Sequence, residues 1–404
     1  MKILQLCNKM PYPAKDGGAI ASLSLSQGFA DAGHCVTILA MNTSKHYFDV
    51  NKIPKELTDK IKFISVDIDT KIKPLHLILN LLFSKLPYNA KRFYSKQYLI
   101  KLTKLLKEEN FDIVQLEGLY LSFYIPIIRK YSNATISFRA HNIEHEIWER
   151  TVQQQKNIVK KYYFKILAKR IKTFEFSQLN KYDLLIPITK RDENIFNKLG
   201  NIKPSLTCPT GINYKKMSFE NHNIEFPSLF HIGSLDWIPN TEGLLWFINN
   251  VWFKIKNKYP EINFYIAGRN APDWFINKIK DSKIEFLGEI EDAYKFMNTK
   301  AIMIVPLLSG SGMRIKIIEG MALGKTIVTT SIGIEGIDAN HKKNILIANS
   351  TKEFIDTIEE LINNKDFFIE IGINAKEFIK KHFDNFAISK SLLEFYKIQS
   401  IKKT

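Results

Sequence analysis

In the stretch SGSGMRIKIIEGMALGKTIVTT, residues 309–330, two cations and one carboxylate follow closely on a pair of glycines. The preceding run AIMIVP, residues 301–306, reads as a buried strand, and the spacing of Ile315, Ile318 and Ala322 predicts a helix from about Gly312. The first amides of such a helix have no partner in the chain, and with the positive end of its dipole they favour an anion. Gly310 and Gly312, on either side of Ser311, let backbone approach a ligand closely. Arg314, in the first turn, and Lys316 bring positive charge to the end of the helix where it is unfavourable, a conflict that a bound diphosphate would remove. Glu319 shares a face with Lys316 and offers two acceptor oxygens to a vicinal diol such as a ribose. The same residues also fit a plain salt-bridge set on a surface helix behind an ordinary glycine turn, and spacing alone leaves both readings open.

These groups need elements to hold them. KILQLCN, a loop carrying Gly17 and Gly18, a helical stretch from about Ala19 to Ala32, Gly33 and CVTILAM form a βαβ unit, which implies parallel pairing. Strand-like runs continue at residues 61–66, 111–117, 134–140 and 182–189, separated by longer helical segments. That is the pattern of a doubly wound α/β domain. The rhythm breaks at Pro209 and Gly211 and restarts with SLFHIG, INFYIAG, IEFLG, AIMIVP, TIVTT and NILIA, which predicts a second domain of the same kind. We expect domains over 1–208 and 209–380, with a helical segment over 381–404. Open parallel sheets bind ligands at the carboxyl ends of their strands, so a cleft between two such edges is the expected place for chemistry.

Composition narrows the class. A chain of 404 residues suits two domains, and 45% hydrophobic with 25% charged residues describes an ordinary soluble protein. The longest apolar run, Leu75 to Phe83, is too short to span a bilayer, and the first residues lack the features of a secretory signal, so a cytoplasmic protein is expected. Cys7, Cys35 and Cys208 share no metal-ligand spacing and read as buried, reduced thiols. The net charge of +17 calls for an anionic partner. Residues 71–107 hold nine Lys or Arg and no acid, and residues 156–172 hold seven more, interleaved with Leu, Ile, Phe and Tyr. Such segments suit an anionic membrane surface, and they equally suit a solvated lysine-rich face. They match no helix-turn-helix, RNP or zinc pattern, so a nucleic-acid partner is not expected. No Asp-x-Asp set with companion ligands closes a strand, so no metal is expected either.

The segment from Pro306 to Gly336 resembles a signature of retaining glycosyltransferases of the two-domain GT-B fold, specifically the large family four. The resemblance extends to HIGSLDWIPNTEGLLWF (231–247), IAGR (266–269), AHNIEHEIWER (140–150), PYPAKDGGA near the amino terminus and the GH pair at 33 and 34. It implies two Rossmann-like domains facing across a cleft, an N-terminal one for the acceptor and a C-terminal one for the sugar nucleotide, with C-terminal helices returning toward the N-terminal domain. Glu319 resembles the ribose-holding glutamate, Arg314 and Lys316 the diphosphate ligands, and His141 the histidine beside the transferred sugar. Gly17 and Gly18 resemble the loop that approaches the donor phosphates. Gly233, Ser234, Arg269, Gly310, Ser311, Gly312 and Met313 complete the implied nucleotide-sugar contacts. Asp16 and Glu117 are candidate acceptor-side groups, whereas His145 and His231 read as structural, and Trp237 and Trp246 as helix packing. Two departures stand out: many members carry a glutamate where this chain has Ser311, and an arginine and a lysine where it has Ser234 and Asn240. The implied reaction moves a hexose-type sugar from a UDP- or GDP-sugar to a glycan or lipid-linked acceptor in surface polysaccharide synthesis, without a metal or cofactor, and the basic segments suit a place at the inner face of the cell membrane. A sugar-nucleotide epimerase of the same fold and a non-catalytic nucleic-acid binder are the alternatives.

Overall fold

The computed structural model describes residues 1–155, 157–214, 217, 223–310 and 312–401. The chain divides into two compact units, one formed by Met1–Gly211 with Asn385–Thr404 and the other by Ile212–Asp384.

In the first unit β1 (Lys2–Cys7), β2 (Cys35–Thr43), β3 (Ile61–Ile68), β4 (Ile113–Glu117), β5 (Thr135–Ala140) and β6 (Leu184–Pro187) form one parallel sheet in the order β3-β2-β1-β4-β5-β6. The second unit repeats the scheme with β7 (Glu225–Ile232), β8 (Asn263–Ala267), β9 (Glu285–Gly288), β10 (Lys300–Val305), β11 (Thr326–Thr329) and β12 (Leu346–Ile347), in the order β12-β11-β10-β7-β8-β9. All the runs read as strands from sequence are strands. They were legible because helices cover both faces, so β4, β5 and β11 are buried at every position.

Each sheet is wound outward from its first strand in one direction and then, beyond that strand's other side, in the opposite one. The reversal falls between β1 and β4 and again between β7 and β10. Connecting helices diverge there, leaving a crevice outside the carboxyl ends of the strands. No helix among the described residues is long and apolar enough to cross a membrane.

The helix after β10 spans Ile315–Ala322, and Arg314 is its N-cap rather than a first-turn residue. Cys35 is exposed, at the solvent-facing start of β2, whereas Cys7 and Cys208 are buried as expected.

The helix Asn385–Ile401 lies against the first helix, Gly17–Asp31, within the first unit. Asn385 Nδ2 donates to the Ser24 carbonyl at 2.7 Å, and a Cβ placed on Gly28 would come within 1.9 Å of Ser389 Oγ. Gly28 therefore sets how closely the two helices approach. Gly28→Val should destabilise the first unit by about 1–3 kcal/mol through overpacking, and adding Ser389→Ala should recover part of the loss, both read by thermal unfolding.

Candidate functional site

The crevice beyond β7 and β10 is filled by a lysine. Lys316, in the first turn of the helix Ile315–Ala322, donates to Asn240 Oδ1 at 2.7 Å and lies 3.3 Å from His231 Nε2. His231, fully buried on β7, gives its Nδ1 hydrogen to the Ile304 carbonyl of β10 at 2.7 Å. That bond fixes the tautomer, so Nε2 is the acceptor facing the ammonium. Asn240 is oriented as firmly, because its Nδ2 donates to the Ser234 carbonyl at 2.7 Å and leaves Oδ1 for the lysine. Gly233 makes room: a Cβ there would sit 2.9 Å from Lys316 Nζ.

Arg314 completes the cationic side. It is 5% exposed, its NH1 donates to the Gly312 carbonyl, and its guanidinium lies 5.4 Å from the centre of the Trp237 ring. Gly310 and Gly312 have φ of +117° and +79°, values that favour glycine, so the turn depends on both. Ser309 Oγ is buried beside this turn with no hydrogen-bond partner among the described residues. Arg269 Nε reaches Ser234 Oγ at 3.4 Å, and Ser234 Oγ donates to Asp236 at 2.5 Å. Ser311 lies outside the described residues.

One turn deeper, Glu319 accepts a hydrogen bond from Tyr294 at 2.8 Å. Burial raises its pKa to about 7, with the tyrosine pulling the other way. Lys316 is shifted oppositely: burial, then repulsion by Arg314, lowers its pKa to about 7. Two groups of opposite type held near neutrality by desolvation, at a topological switch point, mark a ligand site. An anion beside Lys316 and Arg314 would relieve their repulsion, and a diol on Glu319 would supply the donors that its carboxylate lacks. The two side chains thus have separate partners, Asn240 and Tyr294, rather than forming a surface salt-bridge pair.

In the first unit the corresponding crevice, beyond β1 and β4, is organised by Glu117. This carboxylate, 3% exposed, accepts from Gln5 Nε2 and from Ser22 Oγ at 2.8 Å each, from His141 Nε2 at 2.7 Å and from Gln115 Nε2. Arg139 lies 3.8 Å away and donates to the Ala21 carbonyl at 3.0 Å. Burial alone would raise the Glu117 pKa, but Arg139 and the donated hydrogen bonds hold it well below the usual carboxylate range. The amide orientations are set from behind. Ser26 donates to Gln5 Oε1, and Tyr396, from the helix Asn385–Ile401, donates to Gln115 Oε1 at 2.6 Å. Having spent its one hydrogen there, the Tyr396 hydroxyl accepts from Ser137 at 2.7 Å.

His141 thus gives its Nε2 hydrogen to an ionised carboxylate, which leaves Nδ1 for another partner. Gly17 and Gly18 open the first helix rather than shaping a loop, and Asp16 caps it by accepting from Ala19 N at 3.0 Å. Ser22 and Ala21, on that helix, join the glycines to the Glu117 and Arg139 network that holds His141. Asp16 pairs with Lys9 at 2.5 Å, and Lys9 Nζ would lie 3.2 Å from a Cβ on Gly18. Asp16 is a helix cap with a partly exposed side chain, and Glu117 is a buried anchor whose oxygens are taken up by the protein. His145 is structural, accepting no ligand role, with Nδ1 on buried Glu175 at 2.6 Å. His231 and Trp237 do more than pack, since one faces Lys316 and the other supports Arg314, whereas Trp246 packs against Phe354.

Residues 226–364 match the family described as Glycosyl transferases group 1. An uncharacterized 44.6 kDa protein in the cps region of Klebsiella pneumoniae is 26% identical over 97% of this chain and 99% of its own. Sucrose-phosphate synthase of Thermosynechococcus elongatus superposes with a TM-score of 0.71 at 15% identity, over 98% of both chains. HepE of Anabaena, solved in complex with UDP, gives 0.67 at 14% identity, over 98% of this chain and 100% of that one, and has also been solved with UDP-glucose. At these identities the solved structures establish the fold, which is GT-B.

Glu117→Gln would place an amide against four donors and leave Arg139 without its countercharge. It should destabilise the protein by about 3 kcal/mol near neutral pH, measured by urea unfolding. Because the native pKa is depressed, the stability Glu117 supplies is present above about pH 4 and is lost as pH falls toward the native value, so the wild-type and variant curves should converge in acid.

Proposed function

Residues 226–364 are a Glycosyl transferases group 1 domain in a chain of GT-B fold, and from that premise we propose that the protein is a retaining hexosyltransferase using a nucleoside-diphosphate sugar. The observation that carries the reading is the arrangement of Lys316, Arg314 and Glu319 at the carboxyl end of β10, where two crowded cations need an anion and a desolvated carboxylate needs donors. A diphosphate beside the cations with its ribose on Glu319 answers both needs. Gly233, Ser234, Arg269, Met313 and the glycine turn of Gly310 and Gly312 are assigned to the same ligand.

As the glycosidic bond breaks, negative charge grows on the β-phosphate. Lys316 and Arg314, held by Asn240, His231 and Trp237 before substrate arrives, stabilise that charge without reorganising. The same role is commonly filled by a divalent metal, and we assign it here to the side chains, so chelator should leave transfer unchanged. No cofactor is required in this scheme. His141 Nδ1 is assigned to a sugar hydroxyl, with Gly17 and Gly18 toward the donor phosphates. Retention is proposed through attack of the acceptor hydroxyl on the face from which the diphosphate leaves, with the departing phosphate taking the hydroxyl proton.

HepE binds UDP and UDP-glucose, which supports a UDP-sugar donor, with a GDP-sugar as the other choice. The relative in a cps region supports a surface polysaccharide or a lipid-linked precursor as the acceptor. The basic runs at 71–107 and 156–172, of which Lys156 lies outside the described residues, support work at the inner face of the cell membrane. Incubation with a panel of sugar nucleotides and membrane lipid tests the reaction: sugar incorporated into lipid or polymer is expected, and interconversion of the donor would instead indicate an epimerase.

Lys316→Ala should lower kcat by about a hundredfold or more, the loss typical of removing one such stabilising group. Affinity for a nucleoside diphosphate should peak near pH 7, because Glu319 takes up a proton below about 7 and Lys316 gives one up above about 7. Glu319→Gln should flatten only the acid limb and Lys316→Met only the alkaline limb, as measured by calorimetric titration across pH.

A further inference from the structure

The helix Pro74–Phe83, sequence PLHLILNLLF, turns Asn80 inward and most of its apolar side chains outward. Asn80 is its buried residue, while Leu75, Ile78, Leu82 and Phe83 are 66%, 51%, 67% and 82% exposed. Polar contacts hold it from behind: Asn80 Nδ2 donates to the Leu86 carbonyl at 3.2 Å, and Arg170 donates to the carbonyls of Asn80 and Leu81 at 3.1 and 2.8 Å. Arg170 belongs to the helix Ile158–Gln178, whose first turns also expose apolar side chains, Ile158, Val159 and Tyr162. Exposed apolar groups gathered along Pro74–Phe83 in this way mark an interaction surface.

The charge beside this surface selects the partner. Residues 71–107 contain no acid. Next to the helix lies a cavity of about 640 Å³ lined by Lys71, Lys73, His76, Lys91 and Arg92 together with Phe83 and Tyr94. Its one carboxylate, Asp69, is engaged by Lys73 at 2.9 Å. A second copy of the chain would set these cations against themselves, which disfavours self-association through this face. An anionic bilayer offers hydrocarbon to the apolar edge and phosphate to the cations at adjoining depths.

We propose that the helix Pro74–Phe83 inserts Leu75, Ile78, Leu82 and Phe83 into the surface of an anionic bilayer, while the cavity beside it takes lipid phosphate on Lys71, Lys73, Lys91 and Arg92. This deepens the membrane part of the proposed function and is independent of the transfer reaction.

The test is co-sedimentation of the full chain, with no donor or acceptor present, on phosphatidylcholine vesicles with and without phosphatidylglycerol. Binding should require phosphatidylglycerol. Leu82→Glu/Phe83→Glu should weaken it by roughly tenfold or more, as should Lys71→Gln/Lys73→Gln/Lys91→Gln. The first pair is exposed, so an unchanged thermal transition verifies folding. Equal binding to neutral vesicles, or anionic binding that Leu82→Glu/Phe83→Glu leaves intact, would overturn insertion. A concentration-dependent dimer abolished by that variant would assign the face to self-association instead. Failure here leaves sugar transfer to a water-soluble acceptor measurable, so the two readings fail separately.

Discussion

A carboxylate shut away from water stays ionised only when nearly every lone pair is answered, and Glu117 is held to that condition by residues from four strands and helices. Gln5 comes from β1, Gln115 from β4, Ser22 from the first helix, and Arg139 and His141 from β5 and its end. Gln5, Gln115 and Arg139 are in turn fixed by Ser26, Tyr396 and the Ala21 carbonyl, so the carboxylate locks the carboxyl edge of the first sheet where its winding reverses. Without it, His141 would have no defined tautomer, and Arg139 would be a buried cation with a single carbonyl in support.

The second unit meets the same topological gap with the opposite sign. Lys316 occupies the reversal between β7 and β10, but its surroundings are less complete: an amide oxygen, a neutral imidazole and a neighbouring arginine that repels it. The contrast separates an anchor from a site. Glu117 is saturated and its charge is secure; Lys316 and Glu319 are under-served, and their protonation is poised near neutrality. A ligand gains most where the protein has left such groups wanting.

How much of this was written in the sequence depended on the range of the interaction. The strands were legible because double burial demands local apolar runs, and the ligand-bearing helix was legible because Ile315, Ile318 and Ala322 repeat at helical spacing. Its start was misplaced because the glycine turn continues through Arg314, which has an extended conformation at the cap. The partners of the charges were hidden, since Asn240 is 76 positions from Lys316 and Tyr294 is 25 from Glu319. One signal was available and went unread: Gln5 and Gln115 interrupt two buried strands at paired positions, where polar side chains must serve a common buried charge. The inside-out packing of Pro74–Phe83 had no local mark, because an apolar decapeptide reads the same whether it faces a core or a bilayer.

The placement of Tyr396 bears on how the protein is made. The second unit is contiguous and can close as soon as Asp384 has left the ribosome, whereas the first must wait for residues 385–401. Until then Gln115 and Ser137 lack the phenol between them, and the groove on the first helix lies open. During synthesis the half that begins the chain therefore stays incomplete until its last helix is released.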